Sequence, residues 1–349
     1  MAHSPMRRNL ITLFLACVLV GSALVASIYF IHSSTHTILP TDPNIKYVGR
    51  WDTSSSTVAI SYWGGAYLKT AFTGTTVKIK LENAVNIFVS IDGKADVLSE
   101  AANGTVDLTP QALRAGTHTL RVASRFQSDL IQFQGLILDP EAKTVAPTLS
   151  AKLIEFVGDS ITAGAKDSKF ALSDYAWLVG EQLHTEHTQI AQGGICLIDN
   201  IQCYATASHA GMSRQFFKLQ TVAFPASPNW NFSRYQASSV VINLGTNDGE
   251  KGLSDTTFQV VYRTFIQNIR AKYPHAPIFV LRTFSGYKAL PTQAVVRAIN
   301  AAGEKNVYYI NTTGWLVPSD YISDGLHPND NGQMKIASKL VPILRPYLM

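Results

Sequence analysis

The feature that most constrains this chain is a change of pattern near residues 140–150, where Pro140 and Pro147 bracket a short linker. Before it, Val58–Tyr62, Val77–Leu81, Ile87–Ile91 and Leu120–Val122 alternate, or nearly alternate, apolar and polar residues. That period puts apolar side chains on one face of a sheet. Gly64-Gly65, Gly74, Asp92-Gly93, Asn103-Gly104 and Ala115-Gly116 fall between these runs as turn signals. The expectation for 46–139 is an all-β domain, an antiparallel sandwich or jelly roll. After the linker, buried strands expected at Leu153–Val157, Val240–Leu244, Ile278–Leu281 and Val307–Ile310 alternate with helical segments. Those segments are Tyr175–Leu183, Thr256–Lys272, Thr292–Ala302 and Asn329–Leu344. Strands alternating with helices predict an α/β domain over 151–349, a parallel sheet with helices on both faces. In such sheets active sites form at the carboxyl ends of the strands.

The amino terminus points to export. Arg7 and Arg8, in a short 1–8 segment, precede an uncharged, mostly apolar run from Leu10 to Ile31. Its length suits a bilayer-crossing helix, and the arginines favour a cytoplasmic amino terminus. The segment 9–31 therefore reads either as a signal-anchor that ties the protein to the membrane, or as a cleaved signal peptide with Ala23, Ala26 and Ser27 near the cut. Residues 32–45 are polar with two prolines and are expected to form a stalk. Asn103-Gly-Thr105, Asn231-Phe-Ser233 and Asn311-Thr-Thr313 fit the N-glycosylation acceptor pattern. With Cys17 inside the apolar run, Cys196 and Cys203 remain as a candidate disulfide in an oxidising compartment, the alternative being two free buried thiols. A net charge of only +5, without a recurring Lys/Arg block, gives no basis for nucleic-acid binding.

Chemistry concentrates in polar, glycine-bearing loops of the second half. Gly158-Asp159-Ser160 follows the first α/β strand, Gly193-Gly194 follows Ile190-Ala191, and Gly245-Thr246-Asn247-Asp248 follows Val240–Leu244. Asp324-Gly-Leu-His327 precedes the last helix. A serine hydroxyl needs a base to become a nucleophile; His327 is the candidate base for Ser160. Asp324 is the candidate acceptor that fixes the tautomer of the ring. A tetrahedral intermediate also needs preplaced donors. The Ser160 and Gly194 backbone N–H groups and the Asn247 amide are the candidates. Asp159 and Asp248 read as loop-bracing acceptors.

Gly-Asp-Ser, then Gly, then Gly-x-Asn-Asp, then Asp-x-x-His, in that order over roughly 150–349, resembles the SGNH (GDSL-type) hydrolase superfamily. The resemblance implies Ser160 as nucleophile, Asp324 and His327 as its partners, and Ser160, Gly194 and Asn247 as the oxyanion hole. A strand-rich domain bearing Tyr62–Tyr67 ahead of it resembles carbohydrate esterase family two, whose members deacetylate plant polysaccharides such as xylan. That implies a carboxylic ester hydrolase acting on acetylated polysaccharide or oligosaccharide, with no cofactor. One departure is local: where Ser-Gly-x-Gly is usual, the chain reads Gly193-Gly194-Ile195-Cys196, so both glycines are candidate donors. A lipase-like carboxylesterase and a non-catalytic carbohydrate-binding surface protein are the competing readings.

Other residues are weighed against plainer roles. His184, Glu186 and His187 lack a third ligand at metal-site spacing, so no metal is expected. Trp51, Trp63 and Tyr67 read as core, whereas Trp230 and Tyr235 are candidates for a sugar-facing rim.

Overall fold

A computed structural model describes residues 36–204 and 209–348; the apolar run Leu10–Ile31 and Cys17 lie outside them. Among the described residues no helix is long and apolar enough to cross a membrane.

The first domain is antiparallel. Its strands are β1 (His36–Ile38), β2 (Lys46–Val48), β3 (Trp51–Asp52), β4 (Ala59–Ser61), β5 (Tyr67–Gly74), β6 (Val77–Ile91), β7 (Val97–Asp107), β8 (Gly116–Ser124), β9 (Gln132–Leu138) and β10 (Thr144–Val145). The long β6 organises them. Its first half, Val77–Leu81, pairs with β9 and its second half, Ile87–Ile91, with β8, while β7 runs along its other edge. Register shifts between Leu81 and Ile87 give the local bend that such irregularities produce. Trp51, Phe72, Ile79, Ile87, Val122 and Phe133 belong to the apolar cluster inside.

The limits of this domain differ from the expected ones. The segment read as a stalk is folded from His36 onward: β1 pairs with β9, and Asn44 Nδ2 donates to the Thr144 carbonyl at 3.2 Å. The segment read as a linker contributes β10, which pairs with β5. Strands of two or three residues carry no readable alternation, so only their tertiary partners reveal them.

The second domain holds β11 (Leu153–Gly158), β12 (Glu186–Ala191), β13 (Ser239–Asn243), β14 (Ile278–Leu281) and β15 (Val307–Ile310), all parallel, in the order β12-β11-β13-β14-β15. Chain order reverses at β11, so a crevice opens between β11 and β13 at their carboxyl ends. The helices are α1 (Tyr175–Leu183), α2 (Met212–Gln215), α3 (Thr246–Glu250), α4 (Asp255–Lys272), α5 (Ala289–Ala301) and α6 (Asp330–Leu344). α4 follows its apolar stripe: Phe258, Tyr262, Phe265, Ile266 and Ile269 are buried against Val157, Val240, Ile242 and Val280, with α5 beside it. Ser254 caps it. α1 and α6 cover the opposite face, packing on Ile154, Phe156, Val241 and Phe279.

β12 ties the domains together. All six of its residues are buried, although Glu186, His187, Thr188 and Gln189 are polar. Their partners come largely from outside the strand. Tyr67 Oη donates to Glu186 Oε2 at 2.5 Å and Lys69 Nζ to the same oxygen at 2.8 Å. Gln189 Nε2 donates to Asp174 Oδ1 at 3.1 Å. Gly65, at φ +70, lies so close that a Cβ there would sit 2.9 Å from Gln189 Oε1. Beneath this seam Arg50 and Glu155, both fully buried, pair at 3.2 Å. Arg50 also donates to the carbonyls of Phe216 and Lys218 and lies over the rings of Trp63, Phe216, Trp230 and Phe232. Removing one member of such a pair leaves the other charge unpaired, at a cost of about 3–5 kcal/mol.

Acid weakens the seam in a defined direction. Glu181 accepts from Arg121 at 2.7 Å and lies 3.5 Å from His187 Nε2. Burial alone would raise its carboxyl, but His187 and Arg121 outweigh that and hold it at about 2. Burial keeps His187 below its ordinary 6.5. At these two groups the unfolded chain therefore binds more protons than the folded one, first at His187 below 6.5 and then at Glu181 between about 4.5 and 2. The stability these two groups contribute falls as pH falls through these windows. Melting temperatures of wild type and Glu181→Gln, followed from pH 7 to pH 3, should converge at the acid end, because the variant has no carboxylate to lose. Parallel curves would contradict this assignment.

Candidate active site

Ser160 is presented by the tight turn that ends β11. Asp159 braces that turn, its Oδ1 accepting from Ile161 N at 3.1 Å, while Ala163 N donates to Asp159 O at 3.0 Å. Gly158 must be glycine, since a Cβ there would collide with the Thr162 side chain. His327 arrives from the loop before α6, whose N-cap is Asn329. His327 Nε2 and Ser160 Oγ are 2.8 Å apart, and His327 Nδ1 is 2.7 Å from Asp324 Oδ2. With its proton on Nδ1, the ring donates to Asp324 and offers a lone pair to the Ser160 hydroxyl. Partial burial would raise the Asp324 carboxyl. The His327 and Leu326 N–H groups and the ring of His327 overcome that, leaving it below the ordinary carboxylate value and charged beside the base.

The donor side is a second, strongly braced loop. Gln192 N donates to Gly158 O at 3.2 Å, which ties it to the end of β11. Gly194 adopts φ +72, a conformation glycine enters without strain. The Gly193 N–H is engaged by Gln127 Oε1, at 2.7 Å. The N–H groups of Gly194 and Ser160 make no hydrogen bond among the described residues. Of the two candidate glycines, Gly194 is thus the one with a donor to offer. Asn247, on the first turn of α3, is buried. One amide hydrogen goes to Ile195 O at 2.8 Å, which leaves the second for a ligand. Asp248 accepts from Leu197 N at 2.8 Å and Ile198 N at 3.2 Å; burial raises its carboxyl to about 6 and raises that of Asp159 to about 6. Cys196 and Cys203 form a disulfide across the same loop.

The structure brings Ser160, Asp324 and His327 together, with Gly194 and Asn247 in the adjoining loops. Asn103, Asn231 and Asn311 are all exposed. Two readings change. Trp230 is buried and stacks over Arg50, and Tyr235 Oη donates to Glu155 at 2.9 Å. They enclose the buried ion pair and form no sugar-facing rim; a loop-like sequence concealed a contact made by the other domain. Thr246–Glu250, expected as loop, begins a helix. His187 packs between Trp177 and Tyr67, with ring centroids at 4.6 and 5.4 Å. Sequence reasoning missed Gln127, which carries no motif and lies in the other domain.

Residues 156–335 match the model of the GDSL-like lipase/acylhydrolase family. The chain belongs to that family. This GDSL-family chain also matches, over residues 47–147, the model of the carbohydrate esterase 2 N-terminal domain. It is 30% identical over 295 residues to the cellulase/esterase CelE of Acetivibrio thermocellus, covering 77% of this chain but only 35% of CelE. It is 23% identical over 343 residues to an acetylxylan esterase / glucomannan deacetylase of Cellvibrio japonicus, covering 90% of this chain and 91% of that protein. In structure it is similar to a family two carbohydrate esterase from Clostridium thermocellum in complex with cellohexaose. There the TM-score is 0.75 and the identity 26%, over 87% of this chain and 99% of that one.

Asn247 gives a direct test of the donor arrangement. Asn247→Ala is expected to lower kcat by about a hundredfold or more with little change in KM, as loss of an oxyanion donor does. Steady-state kinetics on p-nitrophenyl acetate would show it. A raised KM at unchanged kcat would instead make Asn247 a ground-state binding residue.

Proposed function

We propose that this chain is a serine esterase that removes O-acetyl groups from carbohydrate through an acyl-enzyme on Ser160. The observation that carries the reading is the continuous Ser160–His327–Asp324 chain, at 2.8 and 2.7 Å, with the Gly194 N–H and the second amide hydrogen of Asn247 in the adjoining loops. Ser160 Oγ attacks the ester carbonyl carbon, and its proton passes to His327 Nε2. The carbonyl electron pair moves to oxygen, which receives N–H bonds from Ser160, Gly194 and Asn247. When the intermediate collapses, the carbon–oxygen bond to the sugar breaks and His327 returns its proton to the departing oxygen. Water, deprotonated by the same imidazole, then attacks the acyl group and frees Ser160. Asp324 stays ionised throughout and stabilises the imidazolium.

The substrate class is supported by the relatives named above, one of them an acetylxylan esterase / glucomannan deacetylase. A local observation agrees. Val157 and Ile161 are buried in the core, so the stretch Gly158–Ser168 offers the site mainly small and polar side chains. Nothing in it lines a slot for a fatty chain. The same reading makes the protein an exported one, anchored or released according to the fate of residues 9–31. Exposed acceptor asparagines and a disulfide support that route.

Hydrolysis of p-nitrophenyl esters from acetate to octanoate, run beside acetylated xylan, tests the substrate claim. In a fitting apolar slot each added methylene contributes about 0.8 kcal/mol, roughly fourfold in kcat/KM. The expected result is the reverse: the highest kcat/KM on acetate, a decline with length, and acetate released from the polysaccharide. Efficiency that climbs with length, without acetate release, would assign the protein to the general carboxylesterases. No hydrolysis of any ester would leave the non-catalytic binding reading.

A further inference from the structure

The donor loop is held from the other domain by one side chain. Gln127 lies between β8 and β9, and its Oε1 accepts from Gly193 N at 2.7 Å. The loop that carries it is fixed from several sides. Ala171 N donates to Arg125 O at 3.1 Å, and Asp129 N to Phe126 O at 2.9 Å. Ser124 Oγ donates to Asp129 O at 2.7 Å, and Arg125 Nε to Asp129 Oδ2 at 2.8 Å. The rings of Phe126 and Phe170 meet at 5.2 Å. On the other side Gly64 comes so close that a Cβ there would stand 3.0 Å from Gln127 N. The Gln127 backbone is therefore a fixed post, and the one bond it sends across the seam ends on the N–H of Gly193, the residue before Gly194.

That bond has a specific geometric consequence. Two successive glycines are the least self-restrained backbone a chain can have, and here the second of them carries the candidate donor N–H. The amide plane preceding Gly193 is set by Gln127 Oε1, and the Gly194 carbonyl side is set through Ile195 N, which donates to Gln192 O at 3.2 Å. Asn247 and Asp248 restrain the loop only from Ile195 onward. Without Gln127, nothing among the described side chains restrains Gly193.

The geometry points to Gln127 as a positioning residue, through which the antiparallel domain orients the Gly194 N–H for the oxyanion. This inference rests on the esterase reading of the same site. It also assigns the first domain a part in the reaction: that domain completes the donor loop. Gln127 touches no reacting atom; it acts through Gly193 on Gly194.

The test uses the full chain and two variants. Gln127→Met keeps the length of the side chain and removes the acceptor, whereas Gln127→Glu keeps an acceptor for Gly193. On p-nitrophenyl acetate, whose small leaving group lacks a sugar, Gln127→Met should lose about tenfold or more in kcat with KM within about twofold. Misplacement of a catalytic donor by a fraction of an ångström has effects of this size. Hydrogen exchange of the 190–198 segment should quicken in Gln127→Met and return to the wild-type rate in Gln127→Glu. Wild-type kcat in the Met variant, or a change confined to KM, would overturn the proposal. So would equal exchange in the Met variant and wild type, or exchange in Gln127→Glu as fast as in Gln127→Met. The exchange measurement needs no turnover. If the wild-type protein proves inactive on esters, the esterase reading fails, while exchange still decides whether Gln127 holds the loop.

Discussion

The buried polar strand β12 is the constraint on which the rest of the structure depends. A parallel strand covered on both faces is ordinarily apolar, yet β12 buries Glu186, His187, Thr188 and Gln189. Each unpartnered polar group would cost about 1–3 kcal/mol. Tyr67 and Lys69 on Glu186, and Asp174 and the Ala171 carbonyl on Gln189 Nε2, offset that cost at the carboxylate and the amide nitrogen. Half of those partners come from the antiparallel domain. The catalytic sheet is therefore finished at its β12 edge by another domain, and the close glycines Gly49 and Gly65 exist to let that backbone approach. The donor loop leaves directly from the carboxyl end of this strand, so what anchors the strand also anchors the loop.

The same logic explains which parts were legible in the sequence. Apolar runs announce β11, β13, β14 and β15, and the stripe of α4 announces a helix, because their partners are apolar and nearby in the fold. The site residues Ser160, Gly194, Asn247, Asp324 and His327 stand out through motif order, since each motif sits where a strand ends or a helix begins. β12 was invisible for the opposite reason: its polar composition suits a solvated segment unless Tyr67 and Lys69 are known to face it. β1 and β10 are too short for any period and exist only as partners of β9 and β5. Trp230 and Tyr235 were misplaced because the buried cation they surround, Arg50, comes from a segment nearly two hundred residues earlier. Gln127 could not be found at all, because an isolated glutamine between two strands carries no pattern.

Within the site, acidic groups divide by surroundings. Asp324 is partly exposed and receives two backbone N–H bonds and the imidazole, so it stays ionised. Asp159 and Asp248 are buried beside one another's turns and are raised to about 6, where they serve as acceptors for the Ile161, Leu197 and Ile198 N–H groups. Two loops from neighbouring strands, β11 and β13, flank the crevice between them, one carrying Ser160 and one carrying Asn247, where the reversal of strand order places a site.

The central claim is that Ser160 is a nucleophile activated by His327. Its most direct measurement is covalent labelling with a fluorophosphonate, followed by peptide mapping of the adduct. The expected result is a single adduct on the peptide that contains Ser160, absent from Ser160→Ala and strongly diminished in His327→Ala, with both variants folded. An adduct on a different serine, or ester hydrolysis that persists in Ser160→Ala, would contradict the account.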